Sequence, residues 1–374
     1  MGNPWWYILY NVLIWAFCMY FSFKRMNNRE EKNRHYSKNN KRGIVLLFVL
    51  FLLYSLFIFY GGDNARYENF VTSNGTTSEP ELGGIDPLYA VLANMTAGNF
   101  VLWKLIVYGT ALLLTFWALK RLNALNYLAL FAFTTFCLSS YGATRGVLAC
   151  SILVLAISFI TDRSIILKAA GVLLAVFSIS AHSSMILPVL LLPLSLVKLD
   201  NRKIVILLIM FPVLLSFYNA LYPALFSNES LMDMQTGYKL QTYTDETENV
   251  GSGSSLLMSL HLFLDYIVII MSLFYSLKAD NKGVLPKTVS FLVRCSFLLF
   301  YVAMLINFSN MPGGDFISTR YMTLIPFFLF ITWPFIINNK VVFTRGKQNL
   351  YFNVSVINIA FLFLMMTFYT YMGR

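Results

Sequence analysis

Long apolar stretches, broken by short polar punctuation, run along most of the chain. They lie near 4–23, 43–60, 101–119, 124–140, 146–161, 164–181, 183–198, 203–221, 256–277, 288–307, 321–338 and 349–371. At 1.5 Å per residue, a helix crosses a hydrocarbon core of about 30 Å in roughly 20 residues. The pattern therefore predicts an all-α polytopic membrane protein with about 12 transmembrane helices, several of them short. The run 164–198 is too long for one crossing, since a straight helix of that length would reach about 52 Å. A break at Ala181-His182-Ser183-Ser184 makes it a hairpin and places His182 at a membrane surface.

Charge sets the orientation. The first apolar stretch has no basic residue before it and no small-residue cleavage site, and a basic cluster follows it. That order predicts an uncleaved first span with its N-terminus outside. Loops 24–42, 120–121, 162–168, 198–203, 278–287 and 340–347 then face the cytoplasm, and they hold 21 of the 28 Lys and Arg residues. The same loops hold five acidic residues, against eleven on the opposite side. This asymmetry follows the positive-inside rule. The net charge of +11 is thus a topology signal and does not imply a nucleic-acid partner. The chain is 58% apolar and 12% charged, which fits one integral membrane domain over 1–374. Its two large outer loops are 61–100 and 222–255. The four cysteines all lie inside apolar runs and read as small core residues.

With the sides assigned, the outer cations carry information: Arg66, Lys104, Arg145, Lys239, Arg320 and Arg374. Cations are disfavoured on that side, so they need a reason. An anionic ligand is one, because the guanidinium fork matches phosphate oxygens and stays charged. Arg145 and Arg320 are both expected to begin helices, whose N-terminal N–H groups would add donors. The other reading is snorkelling toward headgroups, or pairing with a nearby aspartate. His182 offers a group that titrates near neutrality, suited to a general base, or else it satisfies backbone groups in a Ser-rich turn. Asp63 and Asp315 each follow a Gly-Gly pair, where a backbone turn allows close approach of a ligand. Either aspartate orients an acceptor hydroxyl or pairs with Arg66 or Arg320. Loop 222–255, with Tyr238, Lys239 and Tyr243, either holds sugar by stacking and hydrogen bonds or is a surface loop. Deeper in the bundle, Asp265 and Arg294 are expected to pair. There is no DxD, GxSxG, Walker or His/Cys ligand pattern, so neither a metal nor a cofactor is expected.

Four segments in order carry a resemblance. "GGDNARYENF" with "IDPLYAVLANM", "SYGATRGVLACSILVLAISFI", "SISAHSSMILPVLLL" and "GGDFISTRYMTLIPFFLF" together resemble the EpsG-type branch of the Wzy-like bacterial polysaccharide polymerases. They cover roughly 60–350. Asp86 stands before Pro87, where that family more often has glutamate. The resemblance implies a GT-C-like glycosyltransferase architecture in the bacterial inner membrane, with its active site toward the periplasm. It implies a partly embedded helix in loop 61–100. It also implies an undecaprenyl-diphosphate-linked oligosaccharide as donor, a second lipid-linked unit as acceptor, membrane lipid around both, and a chain-length regulator as a candidate partner. On this reading Arg145, Arg320 and Arg66 bind the diphosphate, His182, Asp63 and Asp315 serve catalysis, and Tyr67, Asp86, Tyr238, Lys239 and Tyr243 contact sugar. An O-antigen ligase and a lipid-linked oligosaccharide flippase are the alternatives that the sequence leaves open.

Overall fold

A computed structural model describes residues 5–27, 38–57, 61–73, 87–137, 144–226, 256–310 and 314–336, and in addition residues 339, 342, 346, 350, 353, 354 and 357. Among the described residues every regular element is helical. Helices α1 (Trp5–Asn27) and α2 (Lys38–Phe57) pack on each other. Helix α1 also packs on α6 (Tyr127–Phe136), and α2 on α5 (Phe100–Arg121). Asn99 and Asn126 start α5 and α6, their side chains accepting from the N–H groups of Leu102 and Ala129. Two short helices, α3 (Gly61–Thr72) and α4 (Pro87–Met95), lie against α5. Pro87 opens α4, where its missing N–H costs nothing.

The centre is α7 (Thr144–Ile160), which touches α5, α8 (Ile165–Ala181), α12 (Lys287–Asn307) and α13 (Gly314–Leu329). Every residue from Gly146 to Phe159 is buried. A helix that is apolar all round needs partners all round. Small and hydroxyl residues make the contacts close. Thr115 of α5 and Ser151 of α7 share a hydrogen bond of 2.9 Å. At Gly171 of α8, an added Cβ would stand 2.7 Å from the Ala156 carbonyl oxygen and from the Ile160 nitrogen. The α7 and α8 backbones therefore meet there directly.

Among the described residues, four helices are long and apolar enough to cross a membrane: Phe100–Arg121, Asn201–Leu221, Lys287–Asn307 and Ile317–Ile336. Val12–Phe21, Arg42–Leu56, Gly146–Ile160 and Ile165–Ala181 are shorter apolar helices. The expected span 183–198 is not one helix. It comprises a 3-10 turn (Ser183–Met185), α9 (Ile186–Leu191) and a second 3-10 turn (Leu194–Leu196). Pro193 has no N–H to continue α9, which ends just before it. Helix α10 (Asn201–Phe226) stands at the periphery against α12, to which Tyr301 ties it by donating to the Leu207 carbonyl at 2.6 Å. The last expected span, 349–371, lies almost wholly outside the described residues.

Polar ties gather at one end. Arg121 pairs with Asp162 at 2.7 Å, and Thr161 bonds Thr288 at 2.6 Å. The Ser164 N–H and then Arg121 hold the Asp162 carboxyl below the usual carboxylate range. Near the C-terminal end of α11 (Leu256–Asn281), Lys278 donates to the Val342 carbonyl and Asn281 to Asn201. There too Arg294 grips Asp280 with two bonds, at 2.8 and 3.1 Å, and donates to the Leu196 carbonyl at 3.4 Å. This overturns the expected Asp265–Arg294 pair. Asp265 lies 15 residues up α11 from Asp280, about 22 Å along the axis, while Asp280 is in the last turn. Five of the six loops expected to share the cytoplasmic side, all but 24–42, are thus tied together at one end of the bundle.

Gly171→Ala should lower stability by about 1–3 kcal/mol, because the methyl group meets backbone that cannot swing aside. Thermal unfolding in detergent measures this, and an unchanged Tm would mean that the two helices do not meet backbone to backbone. Arg294→Met should cost about 3–5 kcal/mol by stranding Asp280, whose side chain is 3% exposed. Adding Asp280→Leu should recover most of that loss, whereas a double variant no better than the single would show that the pair is not the main contribution of Arg294.

Candidate functional site at the opposite end

The other end is built by helices that stop short. Helices α7 and α8 have 17 residues each, about 25 Å, against about 39 Å for the 26-residue α10 and α11. They form an antiparallel hairpin through the Asp162 turn. The start of α7 and the end of α8 therefore return to the same end, and that is how Arg145 and His182 come together. Arg145 is the second residue of α7. Its backbone sits among the N–H groups that a helix start leaves without intrahelical partners, where partial positive charge favours an anion.

His182 ends α8 in extended backbone, with φ −162° and ψ 121°. Its N–H donates to the Ser178 carbonyl at 3.1 Å, and its own carbonyl accepts from the Met185 N–H at 2.9 Å. The turn expected at 181–184 is therefore where the structure has it. The imidazole is half-buried and its Nδ1 is shielded from solvent. The 3-10 turn that follows rests on both α7 and α8. Within it the Ser184 hydroxyl is buried and makes no hydrogen bond among the described residues.

Both Gly-Gly-Asp motifs prove to be helix starts. Asp63 is the third residue of α3 and Asp315 the second of α13, positions where a carboxylate suits the positive end of the helix. Arg66 follows one turn into α3. Arg320 departs from expectation: it is the seventh residue of α13, near the end of its second turn, and so adds no helix-start donors. It is half-buried, and its carbonyl accepts from the Thr323 hydroxyl at 2.7 Å. Helix α13 packs on α7, which brings Arg320 and Asp315 to the element that carries Arg145. The side chains of Asp63, Arg66, Arg145 and Asp315 lie outside the described set. So do residues Asp86, Tyr238, Lys239 and Tyr243 altogether.

Tyr67 is 5% exposed, and its ring packs 5.8 Å from that of Trp103. Burial turns this ring toward protein, not toward an open stacking face. Tyr89 of α4 and Phe100 complete the aromatic cluster, at 5.6 and 5.8 Å from Trp103. Helix α4 also touches α8, the helix that ends at His182, and α3 packs on α4. Sequence reasoning counted Lys104 among the outer cations without giving it a role, and passed over Trp103. The signal was present, since Lys104 is a cation one turn into a helix whose other cations, Lys120 and Arg121, lie in its last turn.

A family model described as the EpsG family matches residues 41–373. No curated protein and no solved structure matches the chain.

Two positions test the sidedness of this arrangement in a variant stripped of native cysteines. Asn69→Cys on exposed α3 should react with a membrane-impermeant maleimide in intact cells, and Lys282→Cys only after permeabilisation. The reverse pattern would invert the topology.

Proposed function

The chain belongs to the EpsG family, and from that premise we propose that this multi-pass membrane protein is a polysaccharide polymerase with a GT-C-like architecture. It transfers a growing glycan from an undecaprenyl diphosphate carrier to the terminal sugar of a lipid-linked repeat unit. The reaction takes place at the outer face of the bacterial inner membrane. The observation that carries this reading is the common end of Arg145 and His182. The former opens the buried central helix and the latter closes the helix paired with it.

In this mechanism the diphosphate lies over the start of α7. The Arg145 guanidinium and the helix-start N–H groups meet charge that grows as the anomeric C–O bond breaks. Arg66 and Arg320 add positive charge from α3 and α13. The acceptor hydroxyl oxygen bonds to the anomeric carbon while its proton passes to His182, and the carrier leaves as the diphosphate anion. His182 is the first choice of base because imidazole accepts a proton near neutrality. Asp63 stands second, and Asp315 orients Arg320 or the acceptor. In this scheme the chemistry sits where water is scarcer, so that each hydrogen bond to charge counts for more. Asp86, Tyr238, Lys239 and Tyr243 hold the sugars in this scheme. Tyr67 contributes from within the aromatic cluster.

The test is a polysaccharide ladder from a deletion host complemented with wild type, Arg145→Ala, Arg145→Lys or His182→Ala, with membrane levels measured for each. Ladders should collapse to a single repeat with both alanine variants, and nearly so with Arg145→Lys, because a point charge does not replace the fork. Normal ladders from Arg145→Ala at normal protein level would end the proposal. Long polymer retained on its carrier would indicate a ligase, and single units accumulating inside would indicate a flippase.

A further inference from the structure

The end of α8 and the broken run beyond it carry several serines that satisfy themselves. Ser178 and Ser180, in the last turn of α8, donate to the Ala175 and Phe177 carbonyls at 2.6 and 2.7 Å. Ser195 donates to the Leu191 carbonyl at 2.8 Å. Bonding a carbonyl three or four residues back is the ordinary local solution for a serine hydroxyl. Ser184 does not adopt it. Its Oγ is shielded from solvent and makes no hydrogen bond among the described residues. A sheltered hydroxyl in that state has lost water and found no replacement, which is unfavourable and calls for a reason.

The backbone around this hydroxyl is fixed. The Met185 N–H donates to the His182 carbonyl at 2.9 Å, and the Ile186 N–H donates to the Ser183 carbonyl. The Met185 side chain is fully buried, and the turn rests on α7 and α8. Ser184 as a whole is half-buried, so part of the residue meets the surface while its oxygen does not. Rotation about χ1 between staggered positions moves that oxygen and leaves the backbone in place. Residues two apart have Cα atoms at most about 7 Å apart, so His182 and Ser184 are close enough to serve neighbouring hydroxyls of one sugar. A serine hydroxyl both donates and accepts, as a sugar hydroxyl does.

We propose that Ser184 binds the acceptor sugar. Its hydroxyl bonds a hydroxyl beside the one that gives its proton to His182, and so favours an acceptor that carries a hydroxyl there. This rests on the polymerase reading above. The water around Ser184 Oγ is already stripped away in the folded protein, so the bond to sugar does not have to offset that loss again. An acceptor without the hydroxyl leaves the serine as it stands in the free protein and gains nothing from it.

Purified enzyme with lipid-linked repeat units from the native host gives KM, and thermal unfolding in detergent gives Tm with and without those units. Ser184→Ala should raise KM by about three- to tenfold, the worth of one neutral hydrogen bond. It should also shrink the rise in Tm that the repeat units produce. Without them its Tm should equal or exceed that of wild type, because no hydrogen bond within the protein is lost. A wild-type KM overturns the inference. So does a Ser184→Ala variant that is less stable than wild type without repeat units or fails to accumulate, since the hydroxyl would then be structural. Ser178→Ala makes the same change where the hydroxyl bonds its own helix, and it should leave KM unchanged. An equal rise in KM there would trace the effect to general disturbance of the turn and also overturn the inference. Arg145→Ala run in parallel separates the two levels. An inactive Arg145→Ala beside an unaltered Ser184→Ala sinks only the role of Ser184, whereas an active Arg145→Ala sinks the polymerase site itself.

Discussion

Burial of α7 on all its faces is the constraint from which the rest of the bundle follows. Fourteen consecutive residues without a solvent-facing side, Gly146 to Phe159, leave room only for neighbours on every flank. Helices α5, α8, α12 and α13 supply them. Close approach requires a missing side chain at Gly171, and the hydroxyl pair Thr115–Ser151 replaces backbone-distant packing on another flank. Within a membrane there is no hydrophobic gain from burying apolar surface against apolar surface. Tight van der Waals fit and such hydroxyl bonds therefore decide which helices associate.

The two ends of the bundle are built on different physics. One end is tied by ion pairs and amide contacts that cross between elements, with Asp280, Arg294 and the Leu196 carbonyl at their centre. Such ties suit the broken 183–198 segment, whose carbonyls lack a continuous helix to satisfy them. At the other end the chain uses short helices, helix starts and an extended residue at His182. Rigid anchoring at one end lets irregular backbone stand at the other, where the proposed reaction would need exposed donors and a reachable base.

Lys104 and Trp103 link these themes. Both belong to a long, regular span, yet Trp103 supports the short helices α3 and α4, while Lys104 reaches the end of α2. An outer cation whose side chain turns inward serves neither snorkelling nor ligand contact, although the charge pattern alone groups it with the other outer cations.

Hydropathy and charge alone determined the all-helical membrane character, the segregation of basic loops to one end, and the turn at His182. Each depends on composition along a local stretch, and the bilayer imposes lengths that the sequence must match. The family was also legible, because its motifs are ordered along the chain. Tertiary structure decided what local patterns cannot carry. Arg294 chose Asp280 over Asp265 because reach between helices depends on register, which hydropathy does not record. Arg320 fell two turns inside α13 because the helix begins at Gly314 and not at the arginine. Tyr67 and Lys104, polar in sequence and placed near an outer loop, turned inward because the start of α5 offered Trp103 and the end of α2 offered a carbonyl. Burial of that kind is a property of neighbours, and neighbours are set only when the helices pack.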